Sequence, residues 1–392
     1  EHAIRDCLRG LVGSEMCIRD STNAVQQLHH AVQLPVAVKG ALMPDAHMGY
    51  GLPIGGVLAT DNAVIPYAVG MDIACRMCMT VIDRPVSDLD QKEDELKDAL
   101  VRETLFGTGG GFRGSRRLNH DVMDDGWNDT PFLGRLKDKA WKQLGTSGSG
   151  NHFVEFGELT LIMDDLGLEA GTYLALLSHS GSRGSGAKIA QHYSKVAAAL
   201  RPELPKHLQA LAWLDMDSEE GREYWHAMEL MGRYAAANHE LIHRKVVDHL
   251  GAEVLLNLEN HHNFAWIEEH DGKEVVVHRK GATPAGEGEV GIIPGSMATP
   301  GYVVRGKGEP DSLNSASHGA GRAYSRTAAM KKFTWQEGRR FLAQKRVSLI
   351  SAGLDEVPMA YKDIEKVMSA QSDLVSRVAR FDPRLVRMNK GR

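Results

Sequence analysis

The chain has 392 residues with 46 Lys and Arg against 51 Asp and Glu, a formal net charge of −5. That length allows two or three average domains or one large α/β body, and the acidic balance excludes the overall basicity that marks many nucleic-acid binders, so any contact with a polyanion must be local. Four cysteines (Cys7, Cys17, Cys75, Cys78) are too few for a disulfide scaffold and fit a reducing cytoplasm, and no apolar run approaches the roughly 20 residues of a membrane span.

The run Leu11–Ser21, LVGSEMCIRDS, resembles translated adaptor or vector sequence. Residues 1–21 are therefore set aside as a non-native segment, with the native N-terminus expected to be missing, and 22–392 is expected to form a single catalytic domain. Along that domain Ile73–Ile82 reads as a strand and Asp88–Leu105 as a charged amphipathic helix. Phe153–Phe156 and Tyr173–Leu177 read as strands, and Gly186–Leu200 and Gly221–Leu250 as helices. Phe264–Ile267 and Val275–Val277 enclose an Asp271-Gly272 turn, Thr334-x-x-Glu337 is a capping box, and Tyr361–Phe381 reads as a closing helix or helix pair. Strand runs mixed with long helices predict an α+β fold: a mixed-sheet α/β body with helical layers, in which about 201–250 is a mostly helical inserted segment. The basic stretches Arg113, Arg116, Arg117 and Arg377, Arg380, Arg384, Arg387, Lys390, Arg392 read as solvated faces.

The 18 histidines differ in what they say. His29, His192, His207, His226, His243 and His249 stand in helical, polar contexts and read as surface residues. His47, His152, His179, His262 and His318 stand instead in loops dense in Gly, Ser, Asn and Asp, where rigid strands present side chains for chemistry. Asp72 and Cys75, in GMDIACRM, add a carboxylate and a thiol; with three or four of the loop histidines they make an inventory suited to one or two divalent metals. A redox or zinc pair Cys75-x-x-Cys78 is the rival reading, disfavoured because no second CxxC exists and strand alternation turns residues three apart to opposite faces. Cys78 is then a core residue. Three Gly-rich loops, GTSGSG before Asn151, SGSRGSG after His179 and HGAGR after His318, could each offer backbone N–H groups to phosphate, although no Walker A pattern is present. Together these features suggest a site that handles a nucleotide with metals. They do not separate a ligase from a hydrolase.

Taken in order, MPDAHMGYG, AVIPYAVGMDIACRM, LGTSGSGNHFVE, SHSGSRGSG, HHNFAW, VHRKGAT, IIPGSMATPGY, SHGAGR, DEVPMAYKDIEKVMSAQSDLV and the terminal Lys390-Gly391 resemble the RtcB family of RNA-splicing ligases, over about Leu34 to Gly391. The resemblance implies a body of the RtcB type and a site with two Mn²⁺ ions: Cys75 bridging, His179 and His262 completing one ion, Asp72 and His152 the other. It implies His318 as the catalytic nucleophile that takes GMP from GTP. It places the guanylate among Asn151, His152, Phe153, Val154, Glu155, His262, Asn263, Pro294, Gly295, Ser296, Met297, His318, Gly319, Ala320, Gly321 and Lys390, with Tyr361 stacked on the base.

The activity this resemblance implies is joining of an RNA 3′-phosphate or 2′,3′-cyclic phosphate to a 5′-hydroxyl, in tRNA splicing or RNA repair. A metal-dependent phosphoesterase acting on RNA ends is the alternative. An archease-like activator is a candidate partner, no membrane is involved, and nothing sets the oligomeric state, a monomer being the expectation. The family commonly has PDVHLGKG where this chain has Pro44-Asp45-Ala46-His47-Met48-Gly49-Tyr50-Gly51, and VDIGCGM where it has Met71-Asp72-Ile73-Ala74-Cys75-Arg76-Met77. A serine that often follows PGSM by four residues is Gly301 here, so one hydroxyl contact to nucleotide is expected to be lost.

Overall fold

Seven strands hydrogen-bond in the spatial order Val290–Ile293, Gly301–Gly306, Val375–Met388, Phe153–Leu161, Gly171–Ser180, Arg76–Ile82, Val254–His261, and Ser348–Ser351 joins as an eighth by pairing parallel to Val375–Met388. These elements belong to a computed structural model that describes residues 18–391, with side chains from residue 22 onward. Most of the segment set aside above, Cys7 and Cys17 included, lies outside the described residues, although the backbone of helix Ile18–Val32 begins within it. The sheet curls until its two end strands meet, and there the Asn260 side chain accepts from the Ile292 N–H at 2.9 Å. A second, antiparallel sheet has the order Ala37–His47, Ile54–Thr60, Lys273–Lys280, Asn263–His270. Its hairpin turns at Asp271 and Gly272, both with positive φ (51° and 72°), the conformation that a two-residue type I′ loop requires. The mixed architecture of sheets and helices is the α+β body expected.

Register decides where the site forms. Arg76 pairs with Ser180 on one side and His261 on the other, and Phe153 pairs with His179. Cys75, His152, His179 and His262 therefore arrive at one end of the large sheet although they are spread over nearly 190 positions of sequence. The chain passes from the large sheet to the small one through His261, His262 and Asn263, so this end is also the seam between the sheets.

Helix Glu219–Leu250 runs for 32 residues, about 48 Å at 1.5 Å per residue. Ser218 caps it by accepting from the Gly221 N–H, and Gly251 ends it in the left-handed conformation. Its first half packs with Trp127, Leu133, Ile189 and Tyr193, and its second half lays Ile242, Val246 and Val247 on Leu174 and Leu176 of the sheet. The helix thus joins two parts of the core. The start of the 201–250 segment is not helical beyond a short turn at Gln209–Leu211, because Pro202 and Pro205 interrupt it.

The closing segment also differs from expectation. Only Ile364–Ser369 is helical, and Val375–Met388 is a 14-residue strand. Its apolar residues face two layers of the core, and its pairing partners lie far away in sequence. The expected helix Asp88–Leu105 is split at Lys92 into Asp88–Gln91 and Glu93–Glu103, and the strand expected from Ile73 begins at Arg76.

Candidate active site

Two triads of metal-binding side chains share one thiol. Cys75 groups with His179 and His262, and also with Asp72 and His152. Cys75 Sγ lies 3.0 Å from His179 Nε2 and 3.4 Å from His152 Nε2, His179 Nε2 lies 3.2 Å from His262 Nε2, and His152 Nε2 lies 2.9 Å from Asp72 Oδ2. His179 Nδ1 donates to the Asn151 carbonyl, which leaves Nε2 as a bare lone pair aimed at the thiol and at a second imidazole. Soft donors converging in this way repel one another unless a cation or protons stand between them. The donor set fits a pair of divalent ions, with sulfur at the shared position.

Burial governs the charges of these groups. It drives His179 down to about 3 and His262 well below the usual imidazole range, so both present neutral rings as ligands do. Burial and the Asp72 carboxylate push the Cys75 thiol well up, an effect that a bound cation would reverse. Burial alone would raise Asp72, but the hydrogen bond and charge of His152, with Arg183, hold its carboxyl down at about 2. Gly181 lies against that carboxylate, where a Cβ would come within 2.5 Å of Oδ1, so the loop after His179 must be glycine to let Asp72 in.

His318 stands beside this cluster, its ring centroid 5.1 Å from that of His262. Its Nδ1 lies 2.7 Å from Oδ2 of Asp45, a carboxylate with no exposed surface, and its backbone N–H points to the same oxygen at 3.3 Å. Gly281 packs on the ring with positive φ (62°), and a Cβ there would lie 2.5 Å from Ile54 Cγ2 and 3.1 Å from His318 Cε1.

A cavity of about 260 Å³ opens from His318, His179 and His47. Its walls include Asn151, Phe153, Glu155, Pro294–Met297, Gly319–Gly321 and Tyr361. Of the remaining expected nucleotide contacts, Val154 points the other way along its strand into the core, and His152 and His262 stand in the two donor triads. Asn263 accepts from the Gly281 N–H and donates to the Asp72 carbonyl. Lys390 lines a neighbouring cleft with Trp335 and Arg339. Glu155 is buried without a charged neighbour, which pushes its carboxyl well above the ordinary range. Near Gly301, where a Cβ would lie 3.2 Å from Pro294 Cα, Ser296 and Thr299 hydrogen-bond each other at 2.9 Å.

A family model described as tRNA-splicing ligase RtcB matches residues 27–130 and 126–389. The chain belongs to the RtcB family. It is 34% identical to the RNA-splicing ligase RtcB of Escherichia coli K12, an alignment covering 90% of this chain and 91% of that protein. It is 33% identical to the tRNA-splicing ligase RtcB of Nanoarchaeum equitans (91% and 90% covered) and 32% identical to the RNA-splicing ligase RtcB of Mycobacterium tuberculosis (91% and 98%). Identity at this level over nearly the full length fits a divergent RtcB chain.

Several polar groups of this RtcB site escaped sequence reasoning. Asp45 lay in a quoted motif without a role. Arg322, Arg326 and Glu356 also line the cavity: Arg326 bridges Asp355 and Glu356, Tyr361 donates to Glu356, and the Arg322 guanidinium lies 5.2 Å from the Tyr361 ring centre. Their spacing to His318 and to Tyr361 was the available signal. His243, expected at the surface, is buried: its Nδ1 lies 2.7 Å from Thr80 Oγ1 and its Nε2 2.7 Å from Ser178 Oγ, which also meets His239 Nδ1 at 2.7 Å. Cys78 is buried beside these rings, and its thiol groups with His239 and His243 as a third set of donors; the hydroxyls of Thr80 and Ser178 engage both nitrogens of His243 and Nδ1 of His239, while His239 Nε2 has no hydrogen-bond partner among the described residues. The basic tail is likewise spent internally, with Arg377 on Glu365, Arg380 on Asp382, Arg384 on Glu158 and Asp90, and Arg387 on the carbonyls of Leu100, Val101 and Thr104.

Among the described residues no helix is long and apolar enough to cross a membrane.

Proposed function

We propose that this chain is a GTP- and Mn²⁺-dependent RNA ligase that joins RNA 3′-phosphate or 2′,3′-cyclic phosphate ends to 5′-hydroxyl ends through a His318–GMP adduct, in tRNA splicing or RNA repair. The observation that carries this reading is the Asp45–His318 pair, with His318 in the wall of the cavity of about 260 Å³ and its ring centroid 5.1 Å from that of His262 in the two-triad donor set. A hydrolase could use the same pair as a general acid or base, so what separates the two readings is a covalent GMP adduct on His318, for which a hydrolase has no need.

An RNA 3′-phosphate carries no good leaving group, so it must be activated before a 5′-hydroxyl can displace anything from it. Asp45 accepts from His318 Nδ1–H, which in the neutral ring places the lone pair on Nε2. Nε2 attacks the GTP α-phosphorus, pyrophosphate leaves, and a phosphoramidate forms. An oxygen of the RNA 3′-phosphate then attacks that phosphorus and His318 departs, giving RNA-(3′)pp(5′)G. Attack of the 5′-hydroxyl on the RNA 3′-phosphorus releases GMP. Asp72, Cys75, His152, His179 and His262 would hold the two ions, which supply charge neutralisation and orientation at the reacting phosphates. Glu155 is suited to accept from the guanine N1–H and N2 donors, and Arg322 and Arg326 bring cations to the cavity.

The test is incubation with α-labelled GTP and Mn²⁺ followed by denaturing electrophoresis. Label retained by the protein and absent from His318→Ala is expected. RNA-end hydrolysis without labelled protein would favour the phosphoesterase reading instead.

A further inference from the structure

Close to the cavity, loop Met48–Gly51 exposes the two largest side chains of its stretch: Tyr50 is 80% and Met48 57% accessible. Exposure of this kind usually accompanies a mobile loop. Here the backbone is pinned from three sides. The Gln27 side-chain amide clamps Gly49, donating to its carbonyl at 2.6 Å and accepting from its N–H at 3.0 Å. The buried Lys280 ammonium donates to the Tyr50 carbonyl and, at 2.9 Å, to that of Tyr67. Gly51, at φ +70°, is pressed on the 209–211 turn so closely that a Cβ would stand 2.8 Å from the Ala210 carbonyl oxygen. The same loop continues His47, which lines the cavity, and Lys280 precedes Gly281, which packs on the His318 ring. The backbone that carries this exposed aromatic ring is therefore fixed, and it is continuous with the cavity wall.

We propose that Tyr50 is a stacking platform for a terminal nucleobase of the RNA bound for the cavity, with Met48 extending its apolar edge. The proposal rests on the RNA-ligase reading and deepens it. A base offers a flat π-face whatever its identity, so a preorganised ring adds affinity without reading sequence. Pinning the loop before binding removes most of the ordering cost that a flexible loop would incur. A nucleobase is favoured over a protein partner because the support is built onto residues of the catalytic wall.

Wild type, Tyr50→Phe and Tyr50→Ala are compared as full chains by two measurements. The first is titration with short single-stranded RNAs carrying 2-aminopurine at the 3′-phosphate end or at the 5′-hydroxyl end, read by fluorescence quenching. The second is labelling by α-labelled GTP with Mn²⁺. For wild type and Tyr50→Phe, quenching is expected at one end, which identifies the base that stacks. Tyr50→Ala is expected to lose the quench and to bind RNA about 5- to 100-fold more weakly, as stacking energies imply, while GTP labelling stays as in wild type. Unchanged RNA binding and quenching in Tyr50→Ala would overturn the platform and leave Tyr50 as a candidate protein contact. Equal loss in Tyr50→Phe would also overturn it, since stacking does not need the hydroxyl. Loss of GTP labelling in wild type would count against the ligase reading itself, separately from either result.

Discussion

Asp45 determines which nitrogen of His318 is free. The carboxylate lies 2.7 Å from Nδ1 and is wholly buried, while its own charge is kept by the His318 pair and by Lys362 against the upward push of burial. Asp45→Asn should therefore preserve the fold and the metal content but reduce guanylylation by about 100-fold or more, because an amide can donate to Nδ1 and so favour the wrong tautomer. Labelling rates and metal analysis on the same preparation decide the matter. A rate within a few-fold of wild type would remove Asp45 from this role.

Cys75 and Cys78 stand three residues apart and do different work. Cys75→Ser should strip the proposed ions and with them GTP labelling, since serine is a far weaker ligand for a shared position between two triads. Cys78→Ser should keep both, because the thiol faces Asn257 at 3.5 Å and belongs to neither of the triads that share Cys75. Elemental analysis of the two variants checks this. Equal metal loss would restore the paired-cysteine reading.

Glu155 should set the preference for guanine. Buried and without a charged partner, it gains from any ligand that brings two donors to its carboxylate. Glu155→Ala should lower guanylylation efficiency by about 10- to 100-fold, chiefly in the GTP concentration needed, and leave metal content unchanged. If wild type used ATP as well as GTP, Glu155 would have no such role.

Much of the site could be read in the sequence because it lies in loops marked by Gly, Ser and Asn around histidines; Asp72, Cys75, His152, His179 and His262 do converge. What could not be read depends on non-local pairing. Within Tyr361–Phe381, read as helical, Val375–Phe381 is strand: its pattern is broken by a register shift near Val378, and its partners Phe153–Leu161 and Gly301–Gly306 are remote in the chain. His243 looked solvated because its neighbours on helix Glu219–Leu250 are polar, yet the sheet beneath supplies Thr80 and Ser178 to satisfy both of its nitrogens. Lys390 illustrates the opposite limit: a motif match gives a position in the chain, and the side chain stands in the adjacent cleft.

His278 should make stability depend on pH. It is fully buried, its Nδ1 lies 3.0 Å from the Leu58 carbonyl and its Nε2 accepts from the Ile65 N–H at 2.9 Å, and burial holds its pKa down at about 4. The folded ring stays neutral while the unfolded chain takes up a proton below about pH 6.5. The stabilisation is complete above pH 6.5 and is lost as pH falls toward 4, amounting to about 3 kcal/mol in full. His278→Gln can keep both hydrogen bonds without titrating, so its melting temperature should fall less between pH 7 and pH 5 than that of wild type. An identical fall in both proteins would show that His278 does not contribute.

His318→Ala separates activation from sealing. Among the described residues of the cavity wall, His179 belongs to the donor triads and His47 Nδ1 meets the backbone carbonyl of Asp45 at 3.2 Å, so His318 is the imidazole paired with a buried carboxylate. The variant should lose the covalent GMP adduct and the joining of 3′-phosphate RNA. The donor set formed by Asp72, Cys75, His152, His179 and His262 does not include His318, so metal content should survive. Given RNA already ending in (3′)pp(5′)G, with Mn²⁺ and a 5′-hydroxyl strand, His318→Ala should still seal the ends, because displacement of GMP needs orientation and charge neutralisation but no adduct. His152→Ala and His179→Ala should fail with either substrate. Sealing assays with the two RNA ends, run beside metal analysis, distinguish the outcomes: failure of His318→Ala on the preactivated end with metal retained would mean that His318 also positions the RNA, and an adduct persisting in His318→Ala would move the nucleophile to another residue, with His47 the first to examine.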